Sequence, residues 1–456
     1  MGTSFKLRRN SILNRELGAP AVAFLEHAVG ALTRLLPHVE TEDWVVTKGQ
    51  TRTRAAFEDQ TRRSLSLQLS IRLPTAHWGI RGRLTRRHAP AGVGAIARTI
   101  ALRERDITGS VLSSIEDVLS AVQHNSAETL LTLRANFDER AVARHLNQYF
   151  KLKIDIASWF AALRQLAEQS YENKSMAFGC LIDTLDVTKP DSGVQFPDDF
   201  LSKKKYRALS DGYRTAYLVS GSGALIGFAR IGPSESAGRG YFPEWCEDLA
   251  FEARRDRMAI CLTRQGDLLV LSDGQLTFSY RLGRWQYWNH AHIIDLIRNL
   301  ARVQNVPPNA LADVVRSLYR AALDVSFRRS GGLFVLLRNR NNTDHIIRSG
   351  DGIGDRSRDS VDQTFDSAVS SRKVMNFSRA ILSELAGLDG AVVIANTGAV
   401  LAYGAVLEPD RRRGIVRAEG SRTKAAIGAS HYGLAIKVSS DGDITVYVNG
   451  QPLLSI

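Results

Sequence analysis

The chain has 456 residues, 44% of them apolar and 23% charged, a balance that suits a globular protein and excludes a disordered or collagen-like one. It carries 60 Lys and Arg against 47 Asp and Glu, a net charge of +13; residues 1–110 hold 18 basic and 9 acidic side chains and so supply +9 of it. No window approaches the ~18 uninterrupted apolar residues of a membrane span, and the polar, basic start MGTSFKLRRN has no apolar stretch behind it that would read as a secretory signal.

The first residues read as mainly helical. Ala21 to Leu36 carries apolar side chains at helical spacing and stops at Pro37; Ile107 to Leu133 and Ala141 to Glu168 repeat Leu, Val, Ile and Phe every three or four positions. One strand is predicted within Arg62 to Leu73, where Leu65, Leu67, Leu69 and Ile71 alternate with polar residues. The stretch from Lys189 to Lys205, rich in Pro, Asp, Ser and Lys, reads as a linker or surface loop. Residues 1–190 are thus expected to form a mainly helical, basic region. Such charge attracts nucleic acid, nucleotides or acidic surfaces, although its scatter and few aromatics also describe a solvated face.

Residues 206–290 turn to β and are expected to form a separate module, read as a sensor. Thr215 to Val219 and Ala224 to Ile231 flank Ser220-Gly221-Ser222-Gly223, a hairpin signal. Met258 to Leu262, Leu268 to Leu271 and Leu276 to Leu282 follow as short strands, the last alternating so that one face should be wet. His290 and His292, beside Trp285, Tyr287 and Trp288, predict a packing cluster rather than a metal pair. Cys180, Cys246 and Cys261 have no metal spacing and cannot pair completely, which predicts buried, reduced thiols and a cytoplasmic setting.

From 291 to 456 the pattern is helix, buried strand, helix, buried strand and a terminal hairpin, hence a mixed β-sheet flanked by helices. Ile293 to Val303 is the first helix. A second is capped by Asn309 and runs to about Phe327, and the strand Leu333 to Leu337 opens on Gly331-Gly332. A charged loop, Arg338 to Ser360, includes Gly350-Asp351-Gly352-Ile353-Gly354, which lacks the helix and Lys-Ser/Thr of a P-loop. Phe377 to Ala386 is a short helix and Ala391 to Ile394 a second buried strand. Leu434 to Val438 and Ile444 to Val448 form the hairpin.

Four segments of this region carry a resemblance. Gly332-Leu333-Phe334-Val335-Leu336-Leu337-Arg338, Leu388-Asp389-Gly390-Ala391, Gly420-Ser421-Arg422-Thr423-Lys424-Ala425-Ala426 and Val438-Ser439-Ser440-Asp441 resemble, in order, the first strand, the Asp-Gly-Ala motif, the Gly-Thr-Arg-His-Arg-Ala-Ala motif and the Val-Ser-Glu-Glu element of DisA-type diadenylate cyclase domains. The resemblance implies a nucleotidyltransferase fold in which two domains face each other, each 3′-hydroxyl of one ATP attacking the α-phosphate of the other. It implies Asp389 as catalytic residue and, with Asp441, as a ligand for Mg²⁺ or Mn²⁺. Gly390, Ala391, Ser421, Arg422, Thr423 and Lys424 would bind the nucleotide, the small residues allowing close approach and the cations gripping phosphate.

This chain departs from the family where phosphate and metal are handled. The family's His is Thr423, its second Arg is Lys424, which loses the bidentate fork, the first closing acid is Ser440, and Leu388 stands where a His is common. Each lost charge-assisted contact in a transition state lowers the rate ~10²–10³-fold. The expectation is therefore a bacterial-type signalling protein, a homo-oligomer that senses ATP or a cyclic dinucleotide with weak or no turnover. An active cyclase making cyclic di-AMP is the alternative, and a nucleic-acid-associated protein acting through residues 1–110 a third reading.

Overall fold

The computed structural model describes residues 15, 17–49, 51–57, 66–73, 78–86, 95–122, 127–171, 174–185, 194–195, 197, 209–232, 240–353, 360–370, 372–408 and 420–456. The chain divides into two compact units: residues 1–241 with 245–289, and residues 242–244 with 290–456.

In the first unit, helix α1 (Ala19–Leu35) starts with Pro at its first turn and buries Phe24, Leu25, Leu32 and Leu35. It is followed by four antiparallel strands, β1 (Val39–Lys48), β2 (Arg54–Phe57), β3 (Ser66–Arg72) and β4 (Trp78–Arg86), in the order β1-β4-β3-β2. The alternation in the sequence predicts only β3, and residues 62–65 of that prediction lie outside the described residues. β4 escapes it because Gly82 interrupts the inward alternation of Ile80 and Leu84. A Cβ at Gly82 would stand 2.5 Å from the Trp44 indole, which fills the gap instead.

Helices α2 (Ala95–Val122), α3 (Ala127–Ala135), α4 (Phe137–Phe150) and α5 (Ile156–Ala167) follow. The single helix expected over 141–168 is broken. Lys151 takes the left-handed conformation (φ 54°), and the Asp155 carboxylate accepts from the amides of Ala157 and Ser158, capping a new helix. After a two-residue ladder, β5 (Ser170–Tyr171) with β6 (Lys174–Ser175), comes β7 (Phe178–Asp183).

Strand β7 lies within a seven-stranded sheet with β8 (Thr215–Ser220), β9 (Leu225–Arg230), β10 (Arg257–Leu262), β11 (Leu268–Ser272), β12 (Gln275–Arg281) and β13 (Arg284–Tyr287), ordered β13-β12-β11-β10-β7-β8-β9; α6 (Glu247–Glu252) precedes β10. The sheet thus takes strands from both sides of the expected 190–206 boundary. Of the loop expected over 189–205, only residues 194, 195 and 197 are described.

The wet face predicted for β12 is a correction: Thr277 and Ser279 are buried. Each is satisfied by a partner, since the Thr277 and Ser272 hydroxyls are 2.6 Å apart and Trp288 Nε1 donates to Ser279 Oγ at 2.8 Å. Alternation of small hydroxyls with apolar residues therefore does not distinguish a wet face from a satisfied one. All three cysteines are free and buried, and burial pushes the Cys180 thiol up to about 12.

The second unit opens with α7 (His290–Val303) and α8 (Pro308–Arg328). Asn309 does not cap α8: Pro307 is the cap residue and Pro308 the first helical position, where a missing N–H is tolerated. His290 and His292 are buried, and His290 Nδ1 lies 2.8 Å from Tyr319 Oη.

Six strands, β14 (Gly332–Leu337), β15 (Ala391–Ile394), β16 (Val400–Ala405), β17 (Gly433–Val438), β18 (Ile444–Val448) and β19 (Gln451–Ser455), form a mixed sheet ordered β16-β15-β14-β17-β18-β19. Only β14 and β15 run parallel. Helices α9 (Thr343–Ile346), α10 (Ser360–Ser370), α11 (Arg379–Gly387) and α12 (Ser421–Ala429) complete the unit.

Both sheet faces are covered. Leu333, Val335, Leu337, Val393 and Ala435 pack with Ala426 and Ala429 of α12 and Ile346 of α9. On the other face a Cβ at Gly332 would meet Val325 of α8 and the Ala386 carbonyl of α11. That side is fastened by the buried Asp324 carboxylate, which accepts from Arg379 and from the Glu244 amide at 2.8 Å. Burial pushes the Asp324 carboxyl up, and the Arg379 charge pulls it partly back.

Candidate functional site

A sheet covered on both faces offers ligands only its strand ends. At one end converge the starts of β14 and β15, the end of β17 and the start of α12. Gly331 (φ 69°) sits at the centre. A Cβ there would stand 2.5 Å from a terminal nitrogen of Arg422, 3.3 Å from its Cζ and 3.6 Å from the Ser440 amide nitrogen. The missing side chain is therefore what allows the half-buried Arg422 guanidinium to lie against the backbone. Arg422 Nε is buried there without a hydrogen-bond partner.

The register brings the remaining motifs alongside. Phe334 stands beside Val392 on the parallel neighbour, so Asp389, two residues before β15, lies at the same end of the sheet as Gly331, with its carbonyl beside Gly404. On the other side Gly332 pairs with Val438, so Ser439 comes next to Gly331. The turn carrying Asp441 is closed by the Gly442 amide donating to the Ser439 carbonyl at 2.9 Å and the Asp443 amide donating to Ser439 Oγ at 3.0 Å. Asp389 and Asp441 are both exposed, one ahead of β15 and the other in the turn after β17.

Helix α12 begins at this corner. Its N-cap, Gly420 (φ 85°), supplies no side-chain hydrogen bond to the first turn. The amides that open a helix are a ready donor site for anions when no side chain caps them, and Arg422 adds a fork-shaped donor beside them. Ser421 and Lys424 are exposed on the same turn. The Thr423 hydroxyl accepts from Lys437 Nζ at 3.1 Å and lies 3.9 Å from where a Cβ at Gly420 would stand.

Two expected binding residues have structural duties. A Cβ at Gly390 (φ 124°) would lie 2.4 Å from the Gly404 carbonyl carbon, so this glycine makes room for β16. Ala391 is buried in the core beneath α12, leaving only its backbone toward the strand end. Gly331 and Lys437 join the corner without having stood out as site residues in the sequence; the Gly-Gly pair ahead of a buried strand is the available signal for the first.

A divalent ion fits this corner poorly if protein alone must hold it. Among the described residues no three His, Cys, Asp or Glu side chains group to hold a metal, and Mg²⁺ sites with one or two carboxylates rely on substrate phosphates. Of Gly350 to Gly354, residue 354 lies outside the described residues, and the Asp351 carboxylate is engaged by the Val406 amide at 2.8 Å. A cavity of about 730 Å³ lies instead in the first unit, lined by Asp117, Arg140, Arg144, Asn147, Asp155 and Arg164 among others.

The second unit is, on this geometry, an α/β domain with an arginine and a helix start without a side-chain cap at its strand ends. Residues 319–452 match the family model described as DisA bacterial checkpoint controller nucleotide-binding, so the C-terminal third of the chain carries a domain of the DisA type. Among solved structures, a double-cysteine mutant of DacA from Staphylococcus aureus is 24% identical, with a TM-score of 0.22, over 30% of this chain and 83% of that one. A hypothetical membrane spanning protein from Bacillus cereus is 19% identical, with a TM-score of 0.24, over 37% and 77% respectively. No curated protein matches the chain. Among the described residues no helix is long and apolar enough to cross a membrane.

Proposed function

We propose that the second unit binds an adenine nucleotide, ATP or a cyclic dinucleotide, with its phosphates at the corner formed by Gly331, Arg422 and the first turn of α12. The observation that carries this is Arg422: a guanidinium seated on a glycine, with a buried, unpartnered Nε, at an uncapped helix start. Ser421 and Lys424 would add contacts at the rim, and Asp389, exposed ahead of β15 at the same end of the sheet, would orient a ribose hydroxyl or meet a metal brought by the phosphates.

The protein on this reading is a nucleotide sensor with weak or no cyclase turnover, because Thr423 replaces the family's His and its hydroxyl is already engaged by Lys437. Cyclase activity, with Mg²⁺ or Mn²⁺ and two copies face to face, is the alternative that the family match favours. Incubation of the full chain with ATP and manganese separates the two. Nucleotide binding without cyclic di-AMP supports the sensor, whereas robust product, lost in Asp389→Asn, establishes the cyclase. A cytoplasmic setting belongs to the same proposal.

A further inference from the structure

Strand β17 alternates. Leu434, Ile436 and Val438 turn to one face of the sheet, and Ala435 and Lys437 to the other, the face beneath α12. Ala435 stands in the core of that face, between Val335 and Tyr447. Lys437 stands one step further along, between Leu333 and Thr445, where an apolar side chain would continue the core. Its own side chain is partly buried. The ammonium emerges at the first turn of α12, where Nζ donates to Thr423 Oγ1 at 3.1 Å. That oxygen is 3.9 Å from where a Cβ of the N-cap residue Gly420 would stand, so the ammonium is brought to the open start of the helix.

A cation is unfavourable at this position in the protein alone. The start of a helix is the positive end of its dipole, and like charge beside it is destabilising. Lys437 nevertheless shares the turn with Arg422 and Lys424, and none of the three forms an ion pair among the described residues. The elements packed around the ammonium bring no carboxylate: α12 reads SRTKAAIGA, β14 GLFVLL, β17 GLAIKV and β18 ITVYV. The Thr423 hydroxyl satisfies one of the three ammonium N–H groups and neutralises none of its charge. An anion at the helix start would answer all three cations at once.

We infer that Lys437 is a phosphate-binding residue of this corner. Its ammonium donates to a phosphate oxygen of the nucleotide from the sheet side of α12, while Arg422 donates from its seat on Gly331. Thr423 is a positioning residue, its hydroxyl aiming the ammonium. Lys437 belongs to none of the four segments that carry the resemblance to DisA-type domains. The inference rests on nucleotide binding at the corner and adds to it a second cation for the phosphates, a point charge beside the fork of Arg422.

The test is calorimetric titration of ATP into the full chain, as wild type, Lys437→Met and Lys437→Arg, with thermal unfolding of each protein without nucleotide. Lys437→Met should weaken ATP binding about tenfold or more, the loss of one charge-assisted hydrogen bond. Its unfolding temperature should not fall, because an apolar chain of similar length replaces a charge among like charges. Lys437→Arg, which keeps the charge, should bind within about threefold of wild type. A lysine with a structural role alone gives the reverse pattern, lower stability and unchanged affinity in Lys437→Met. If Lys437→Met does not fold, Lys437→Gln carries the same expectation. Equal affinity in Lys437→Met and wild type, or an equal loss in the Met and Arg variants, would overturn the role of Lys437 and leave the corner standing. No ATP binding by the wild type would remove the corner itself, and the inference with it.

Discussion

The four-stranded sheet near the N-terminus and the six-stranded sheet near the C-terminus are covered differently, and coverage decides where a ligand can reach. The six-stranded sheet packs helices on both faces, so only its strand ends remain for a ligand, and Arg422 and Gly331 meet there. The four-stranded sheet packs helices on one face only, and its other face carries Arg54, Arg72, Arg81 and Arg83 with Glu40, partly covered by Thr51 to Thr53. One sheet is covered by helices on both faces and leaves a corner open; the other is covered by helices on one face and partly by residues 51–53 on the other.

The comparison can be broken first at Gly390. Gly390→Ala combines a strained φ with a collision against β16, and should lower the second unit's stability by about 4 kcal/mol, roughly 10 °C in thermal unfolding. A shift under about 2 °C would mean that Gly390 serves ligand approach rather than the β16 contact. A smaller effect sharpens the picture of the first unit. Burial, aided by the charge of Arg103, pushes the His145 imidazole down to about 3. A folded value below the unfolded one means stability present above the unfolded value near 6.5 and lost as pH falls below it, about 2 kcal/mol at pH 5 relative to pH 8. Denaturant titrations at the two pH values should show this loss, and His145→Leu should remove that part of it. The smallest effect is expected at Thr423. Because its hydroxyl already accepts from Lys437, Thr423→Val should weaken nucleotide binding by no more than about threefold, ~0.6 kcal/mol; a loss of tenfold or more would give Thr423 a direct contact.

What is legible in the sequence divides along the same line. Leu333 to Leu337 and Ala391 to Ile394 stand out because strands buried on both faces are continuous apolar runs. β4 does not, since its outward positions are Arg81 and Arg83 and its inward row is broken by Gly82, whose gap Trp44 fills from another strand. β16 is hidden because Tyr403 and Gly404 interrupt its apolar run. At the candidate site the motif residues are visible one by one, but the seat of Arg422 on Gly331 depends on strand pairing between segments far apart in sequence. Gly390 reads as a ligand-approach residue for the same reason: its neighbour Gly404 is known only from the fold.

The most direct test of the nucleotide corner is calorimetric titration of ATP and of cyclic di-AMP into the full chain, wild type and Arg422→Ala. Removing a guanidinium that donates to phosphate should weaken binding by about 2 kcal/mol, or ~30-fold, while the unfolding temperature without nucleotide stays within about 2 °C. Equal affinity in the two proteins, or no binding of either nucleotide to the wild type, would contradict the account.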